Sequence, residues 1–323
     1  GAMKVTISDD YQDCIRHLDC FAKMSGHDVT IHNDTVKDVD AIAERFKDAE
    51  AAVLIRERTP ITEELLEKLP NLKLISQTAR GINHIDLDAC TRRGIAVAAG
   101  GGNKNVTAEL TWGLILAAAR HIPDEVHSLK SGGWQTTLGT RLTGKTFGIY
   151  AYGGIGNIVA KVGHAFGMNI LAWGREGSAE RSRADGFEMA PGREAFFETC
   201  DVVSIHIPLK PDARGIIKRQ DLDRMKPTAL FVNTSRAGLI EEGALAAALQ
   251  AGRPGRAAVD VYEDEPVLGG NHPLLQMENC LCTPHLGYVS KESFEEYVGG
   301  AFDRVVAFAE GNPIDVINPE ALG

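Results

Sequence analysis

Short, mostly apolar runs rich in β-branched residues alternate with helical patterns along the whole chain, and this alternation limits the folds available to it. One series comprises Val5-Thr6-Ile7, Ala52-Val53-Leu54-Ile55, Leu72-Lys73-Leu74-Ile75 and Ile95-Ala96-Val97. A second begins at Thr146 with Phe147-Gly148-Ile149-Tyr150. It continues through Asn169-Ile170-Leu171-Ala172, Val202-Val203-Ser204-Ile205, Ala229-Leu230-Phe231-Val232, Ala257-Ala258-Val259-Asp260 and Cys280-Leu281-Cys282. Such runs suit parallel strands buried on both faces, with the intervening helices as covering layers. Two series in 323 residues predict an α/β chain with two doubly wound parallel-sheet domains.

The break between the series is visible. Ala99-Gly100-Gly101-Gly102-Asn103 reads as a flexible run. The stretch from Val106 to Arg120 reads as a helix apolar nearly all round, which predicts burial at an interface. Thr62 caps a helical turn running to Leu69. From Lys291 to Glu310 the pattern is an amphipathic helix with Phe294, Tyr297, Val298, Phe302, Val305, Val306 and Phe308 on one side. Gly311-Asn312-Pro313 ends it.

Composition removes several function classes. A net charge of −10 without a basic cluster argues against nucleic-acid binding. It also means that any site for an acidic ligand carries its own local cation. No stretch reaches the roughly 20 apolar residues of a membrane helix, and no signal segment opens the chain. Gly1-Ala2 ahead of Met3 reads as a remnant added before the natural start. The six cysteines, Cys14, Cys20, Cys90, Cys200, Cys280 and Cys282, form no CxxC pair. They read as reduced thiols of a cytoplasmic protein, and no metal site is expected.

The segment from Gly148 to Ala160 reads strand, turn, helix. Against the pattern G-x-G-x-x-G, Ala151 stands in the first place, and Gly153 and Gly156 fill the other two. Gly153 lets backbone approach a pyrophosphate, Gly156 lets the helix pack on the strand, and the Gly154-Ile155 amides open the helix toward phosphate oxygens. Ala151 is expected to keep φ below zero. The next strand ends at Trp173-Gly174-Arg175-Glu176, where an NAD site usually carries an acid for the ribose hydroxyls. Gly174 stands in that place. Arg175 can pair with a 2′-phosphate or be a solvated loop residue, and Glu176 can take the hydroxyls if the loop shifts. NAD and NADP both stay open as cofactors.

Three further segments carry chemistry: Val232-Asn233-Thr234-Ser235-Arg236-Ala237-Gly238, Asp260-Val261-Tyr262-Glu263-Asp264-Glu265-Pro266 and Thr283-Pro284-His285-Leu286-Gly287. Imidazole, with an unperturbed value near 6.5, is a natural proton carrier for oxidation of a hydroxyl group. A neighbouring carboxylate favours its charged form. A guanidinium grips a substrate carboxylate through two charge-assisted hydrogen bonds, which lysine cannot match. Taken singly, His285 reads as a loop histidine, Glu265 as a turn acid and Arg236 as an ion-pair residue. His84 and His121 read as structural, and Arg56 and Arg58 as surface charge.

With the glycine turn, these segments make the sequence resemble the D-isomer-specific 2-hydroxyacid dehydrogenases over nearly its whole length. The resemblance implies a Rossmann dinucleotide-binding domain, 104–285, inserted into a flavodoxin-like substrate domain, 1–103 and 286–323. It implies NAD or NADP as cofactor, a small 2-hydroxy or 2-keto acid as substrate, and a homodimer with the long helix at the contact. It assigns Arg236 as carboxylate clamp, His285 as acid/base and Glu265 as its partner. Asp260 is implied near the nicotinamide, and Thr234, His206 and Pro208 in the cofactor pocket. Arg80 and Gly81 match a loop that receives the substrate carboxylate, although Ala79 stands where glycine is usual. Lys210 replaces a common threonine at the pocket rim. A dinucleotide-sensing corepressor of the same fold is the rival, and it has no chemical use for Arg236, Glu265 and His285 together. Formate dehydrogenases resemble it less, since they pair the histidine with glutamine.

Overall fold

The computed structural model describes residues 1–323. They divide into two compact units, Gly1–Asn103 with Ser290–Gly323, and Lys104–Val289.

The first unit carries β1 (Lys4–Ile7), β2 (Asp28–Ile31), β3 (Ala51–Leu54), β4 (Leu74–Gln77) and β5 (Ala96–Ala98). All pair in parallel, in the order β2-β1-β3-β4-β5. Every residue of β3 and β4 is buried, as helices on both faces require. β2 has no counterpart among the expected strands. It is an edge strand whose residues alternate between exposed and half-buried, so it lacks a continuous apolar run. β4 starts later than the run at 72–75, because Lys73 already pairs outside the strand, donating its N–H to Glu50 O at 2.8 Å.

The C-terminal segment completes this unit through specific hydrogen bonds. Ser290 caps the helix Lys291–Ala309 by accepting from Ser293 N at 3.1 Å. Ser76 Oγ donates to Ala301 O at 2.8 Å. Asn318 accepts from Val97 N at 2.7 Å and donates to Ile95 O at 2.9 Å, fastening the chain end to β5. Thr62 accepts from Leu65 N at 3.2 Å and caps the single turn Glu63–Leu66.

Arg56 and Arg58, expected as surface charge, are half-buried. The Arg56 N–H donates to Thr78 Oγ1 at 3.0 Å. Arg58 donates to Asp9 O at 2.5 Å and lies 4.3 Å over the Tyr11 ring. For Arg58 the carbonyl and the ring compensate the water its guanidinium loses.

The second unit carries β6 (Thr146–Tyr150), β7 (Asn169–Trp173), β8 (Glu188–Met189), β9 (Val202–Ile205), β10 (Leu230–Asn233), β11 (Arg256–Val259) and β12 (Cys280–Cys282). The order β12-β11-β10-β9-β6-β7-β8 is parallel throughout. Chain direction across the sheet reverses between β6 and β9, the switch point where α/β folds open a crevice at the strand carboxyl ends. Phe147, Ile149 and Val232 pack on one face with Trp112, Ile115 and Val159. Phe196, Phe197, Val203 and Phe231 fill the other.

The expected helix at 106–120 runs Lys104–Ala119. It is not buried all round. Ala108, Thr111, Trp112, Leu114, Ile115 and Ala118 face this unit's core, whereas Glu109 and Gly113 are exposed. Trp112 Nε1 donates to Val159 O at 2.9 Å, which fixes the helix on the glycine-turn helix. No helix is long and apolar enough to cross a membrane. All six thiols are unpaired, with Cys90 and Cys200 buried.

Candidate active site

β6 ends at Tyr150, and the chain turns through Ala151 and Tyr152 into the helix Gly154–Ala165. Ala151 corrects the expectation drawn from its missing glycine: its φ is +73°, not negative. The turn keeps the geometry a glycine would adopt, with Ala151 N donating to Trp173 O at 2.8 Å and Gly153 N donating to Ala151 O at 3.0 Å. The small methyl tolerates this conformation at a cost of about 1 kcal/mol. A Cβ on Gly156 would strike Ala151 O and stand 3.1 Å from Ile149 Cγ2, so helix and strand pack at glycine distance. A Cβ on Gly153 would meet nothing within 4 Å, and Gly153 supplies no side-chain cap. The first-turn amides of Gly154, Ile155 and Gly156 stand at the positive end of a helix, a setting that fits a pyrophosphate.

Lys104, absent from the sequence expectations, lies at this turn. Its Cδ and Cε come within 2.6 and 2.7 Å of where a Gly154 Cβ would stand, and the ammonium lies there too. A cation at a helix N-terminus opposes the dipole unless an anion joins them. No local spacing links two residues so far apart in sequence. The hint was negative, a glycine at 154 that leaves room for another element's side chain.

Beyond β7, Gly174 has φ +151°, and its Cβ would lie 2.9 Å from Ser178 Oγ. Ser178 Oγ accepts from Tyr152 N at 3.1 Å, so it belongs to the turn. Arg175 Nη2 sits 2.5 Å from Asp212 Oδ2. Glu176 leans along its own helix toward Arg183, 3.6 Å away. His206 follows β9. Its Nε2 pairs with Ser204 Oγ at 2.8 Å, while its Nδ1 is enclosed without a hydrogen-bond partner in the chain. Burial lowers this ring to about 4, so it is neutral near pH 7. Pro208 is exposed beside it. Thr234 Oγ1 is 2.8 Å from Thr111 Oγ1.

The three chemical segments converge because each follows one of three adjacent parallel strands, β10, β11 and β12. Their carboxyl ends lie side by side, so residues separated in sequence share one sheet edge. Asn233 holds the first loop, accepting from Ser235 N and donating to Arg236 O, both at 3.0 Å. Ser235 Oγ anchors it to Ile205 O at 2.8 Å. Arg236 follows, half-buried, with Nη1 donating to Ser235 O at 2.7 Å.

His285 Nδ1 lies 2.5 Å from Glu265 Oε1. Glu265 Oε2 accepts from Tyr262 N at 3.2 Å, which fixes the carboxylate. Burial pushes the Glu265 carboxyl up. The His285 hydrogen bond and charge, the Tyr262 amide and the Arg236 charge outweigh burial and hold it below its ordinary value. With Nδ1 taken, Nε2 is the ring nitrogen left for a reacting group. The Tyr288 ring meets His285 edge-on at 5.5 Å.

Asp260, expected near the nicotinamide, is fully buried and turned into the histidine loop. Its Oδ1 accepts from Thr283 Oγ1 and Leu286 N, each at 2.7 Å, and its Oδ2 accepts from Gly287 N at 2.9 Å. Burial pushes this carboxyl up, and the three donors work against that rise. The clamp brackets His285, which adopts φ +52°. Arg80 and Gly81 stand in the first unit, on an exposed loop after β4. No group of three or more histidine, cysteine, aspartate or glutamate side chains is arranged to hold a metal ion.

Comparison with known proteins places this site in a family. Residues 112–287 match the family model described as D-isomer specific 2-hydroxyacid dehydrogenase, NAD binding domain. Over 270 residues the chain is 38% identical to a glyoxylate reductase from Aeropyrum pernix, covering 80% of each protein. It is 38% identical to a D-3-phosphoglycerate dehydrogenase from Methanocaldococcus jannaschii over 257 residues, 79% of this chain and 48% of that protein. The chain thus spans about half the length of that relative. A solved structure of a phosphoglycerate oxidoreductase from Vibrio cholerae superposes with a TM-score of 0.93 at 52% identity, covering 96% of this chain and 99% of that one. Two parallel α/β sheets, a glycine turn opening a helix and a carboxylate–imidazole pair at the strand ends thus stand in a member of the D-isomer-specific 2-hydroxyacid dehydrogenase family.

Proposed function

We propose that this chain is an NAD(P)-dependent oxidoreductase that interconverts a small D-2-hydroxy acid and its 2-keto acid. The observation that carries the reading is the 2.5 Å contact between His285 Nδ1 and Glu265 Oε1, held on a loop that Asp260 clamps. The bound dihydronicotinamide supplies a hydride to C2 in the reductive direction. The remaining work falls to side chains. His285 passes its Nε2 proton to the carbonyl oxygen as the C–O π pair moves onto that oxygen. Glu265 stabilises the imidazolium before the transfer and orients the ring throughout. Arg236 grips the substrate carboxylate and so selects the face of C2 that reacts.

Gly153, Gly154, Ile155 and Gly156 would hold the pyrophosphate with their backbone, and Lys104 would supply a compensating positive charge. His206, Pro208 and Thr234 line the rest of the cofactor cleft, and the enclosed His206 Nδ1 is the polar atom most in need of a ligand partner. Six unpaired thiols suit a reducing cytoplasm. The partner in assembly is a second copy of the chain. Trp134 is 75% and Leu138 94% exposed, with Ile122, Val126 and Leu129 exposed on the helix Ile122–Lys130 in the same unit.

A panel of glyoxylate, hydroxypyruvate and other short 2-keto acids, each with NADH and with NADPH, tests the activity by loss of nicotinamide absorbance. Turnover with at least one acid is expected. Tight dinucleotide binding with no turnover of any acid would leave only a sensor.

A further inference from the structure

We infer that this chain selects the 2′-phosphorylated dinucleotide, NADP(H), over NAD(H), with Arg175 as the discriminating residue. The inference rests on the dinucleotide reading above and deepens it. An NAD-selective site places a carboxylate at the end of the second strand, where it accepts both ribose hydroxyls and repels a phosphate. That place is closed to an acid here. Gly174 has φ +151°, a region L side chains rarely enter, and any Cβ would sit 2.9 Å from the Ser178 Oγ that supports the glycine turn.

Glu176, the next carboxylate in sequence, lies beyond the strand end in the first turn of the helix Glu176–Ala184, with Arg183 3.6 Å away. What the strand end presents is cationic. Arg175 carries a side chain that is 81% exposed. Arg181 donates Nε to Tyr152 O at 2.8 Å, and its Nη1 lies 3.2 Å from where a Gly177 Cβ would stand, which puts a second guanidinium beside the first turn of that helix.

Asp212 Oδ2 holds the Arg175 guanidinium at 2.5 Å. This is an exposed pair, and such pairs contribute little. A phosphate dianion offers a guanidinium two charge-assisted hydrogen bonds and displaces a single exposed carboxylate. Asp212 is also the one group that could reverse the preference, since a carboxylate there could accept ribose hydroxyls. The experiment is built on that contrast.

Dissociation constants for NADPH and NADH are measured by quenching of protein fluorescence in wild type, Arg175→Ala and Asp212→Ala, with no substrate and no turnover. The expected result is NADPH bound about tenfold or more tightly than NADH. Arg175→Ala should remove that gap by weakening NADPH and leaving NADH within about twofold. Asp212→Ala should tighten NADPH, because a competing anion is gone. NADH bound as tightly as NADPH, or Asp212→Ala weakening NADH, overturns the inference while leaving the oxidoreductase reading intact. Binding of neither dinucleotide by wild type overturns both.

Discussion

Glu265 grips His285 with one carboxylate oxygen and the backbone of Tyr262 with the other, Oε1 standing 2.5 Å from Nδ1 and Oε2 3.2 Å from the Tyr262 amide. The acid is thus a fixed strut between the buried loop after β11 and the imidazole. His285→Ala should lower kcat by a factor on the order of 10²–10⁴ while leaving the dinucleotide dissociation constant within about twofold. Steady-state kinetics beside fluorescence titration checks this, and full activity in the variant removes the acid/base role.

The same strut sets a pH dependence of stability. Glu265 is held below its ordinary carboxyl value of 4.5, mainly by His285 against the opposing effect of burial. A depressed acid contributes stability in full above its unfolded value, and that contribution fades as pH falls through the folded value. Glu265→Gln should therefore melt lower than wild type above the ordinary carboxyl range, and the gap should close as pH falls well below it. Melting temperatures across that range check it, and a gap that widens in acid contradicts the assignment.

Asp260 holds the histidine loop, with three donors on its two oxygens. In Asp260→Asn one oxygen becomes an NH₂ group facing an N–H or O–H donor. The unsatisfied pair costs about 1–3 kcal/mol. The variant should melt lower, lose kcat, and exchange the Gly287 amide proton faster, with dinucleotide affinity little changed. An unaltered Gly287 exchange rate would show that the clamp does not order the loop.

Lys104 and Gly154 form a second testable pair. Lys104→Ala should weaken binding of ADP-ribose about tenfold and leave adenosine, which has no phosphate, unaffected. Removing Lys104 also clears the space above Gly154, so Gly154→Arg added to Lys104→Ala should restore much of the loss. Calorimetric titration of the single and double variants decides it. A loss shared equally by adenosine points to a purely structural role.

Ala151 sits at φ +73° in a turn that glycine enters freely. Ala151→Gly should gain about 1 kcal/mol from relief of the left-handed conformation and lose about half of that to added unfolded-state freedom. A rise of about 1–2 °C in melting temperature is expected. A clear fall would mean that the methyl packs better than its backbone suggests.

Leu138 is the most exposed large apolar side chain, at 94%. Leu138→Asp should shift the protein toward monomer in sedimentation velocity if this patch covers a second copy. An unchanged sedimentation coefficient would place the contact elsewhere.

The fold class was legible in the sequence because it depends on local pattern, and the pairing of Glu265 with His285 was expected from the motifs that carry the family resemblance. Continuous apolar runs specify parallel strands, and Arg236, Glu265 and His285 lie on the loops that follow three of them. β2 and β8 were not legible, since their residues are exposed or half-buried and form no apolar run. The roles of Asp260 and Lys104, the backbone of Ala151 and the partner of Glu176 were decided only by tertiary structure. Each depends on what a distant segment places opposite the side chain, a matter of sheet order and loop path that no spacing along the chain encodes. Strand adjacency turns β10, β11 and β12 into one edge, and that edge makes three separate residues into a single site.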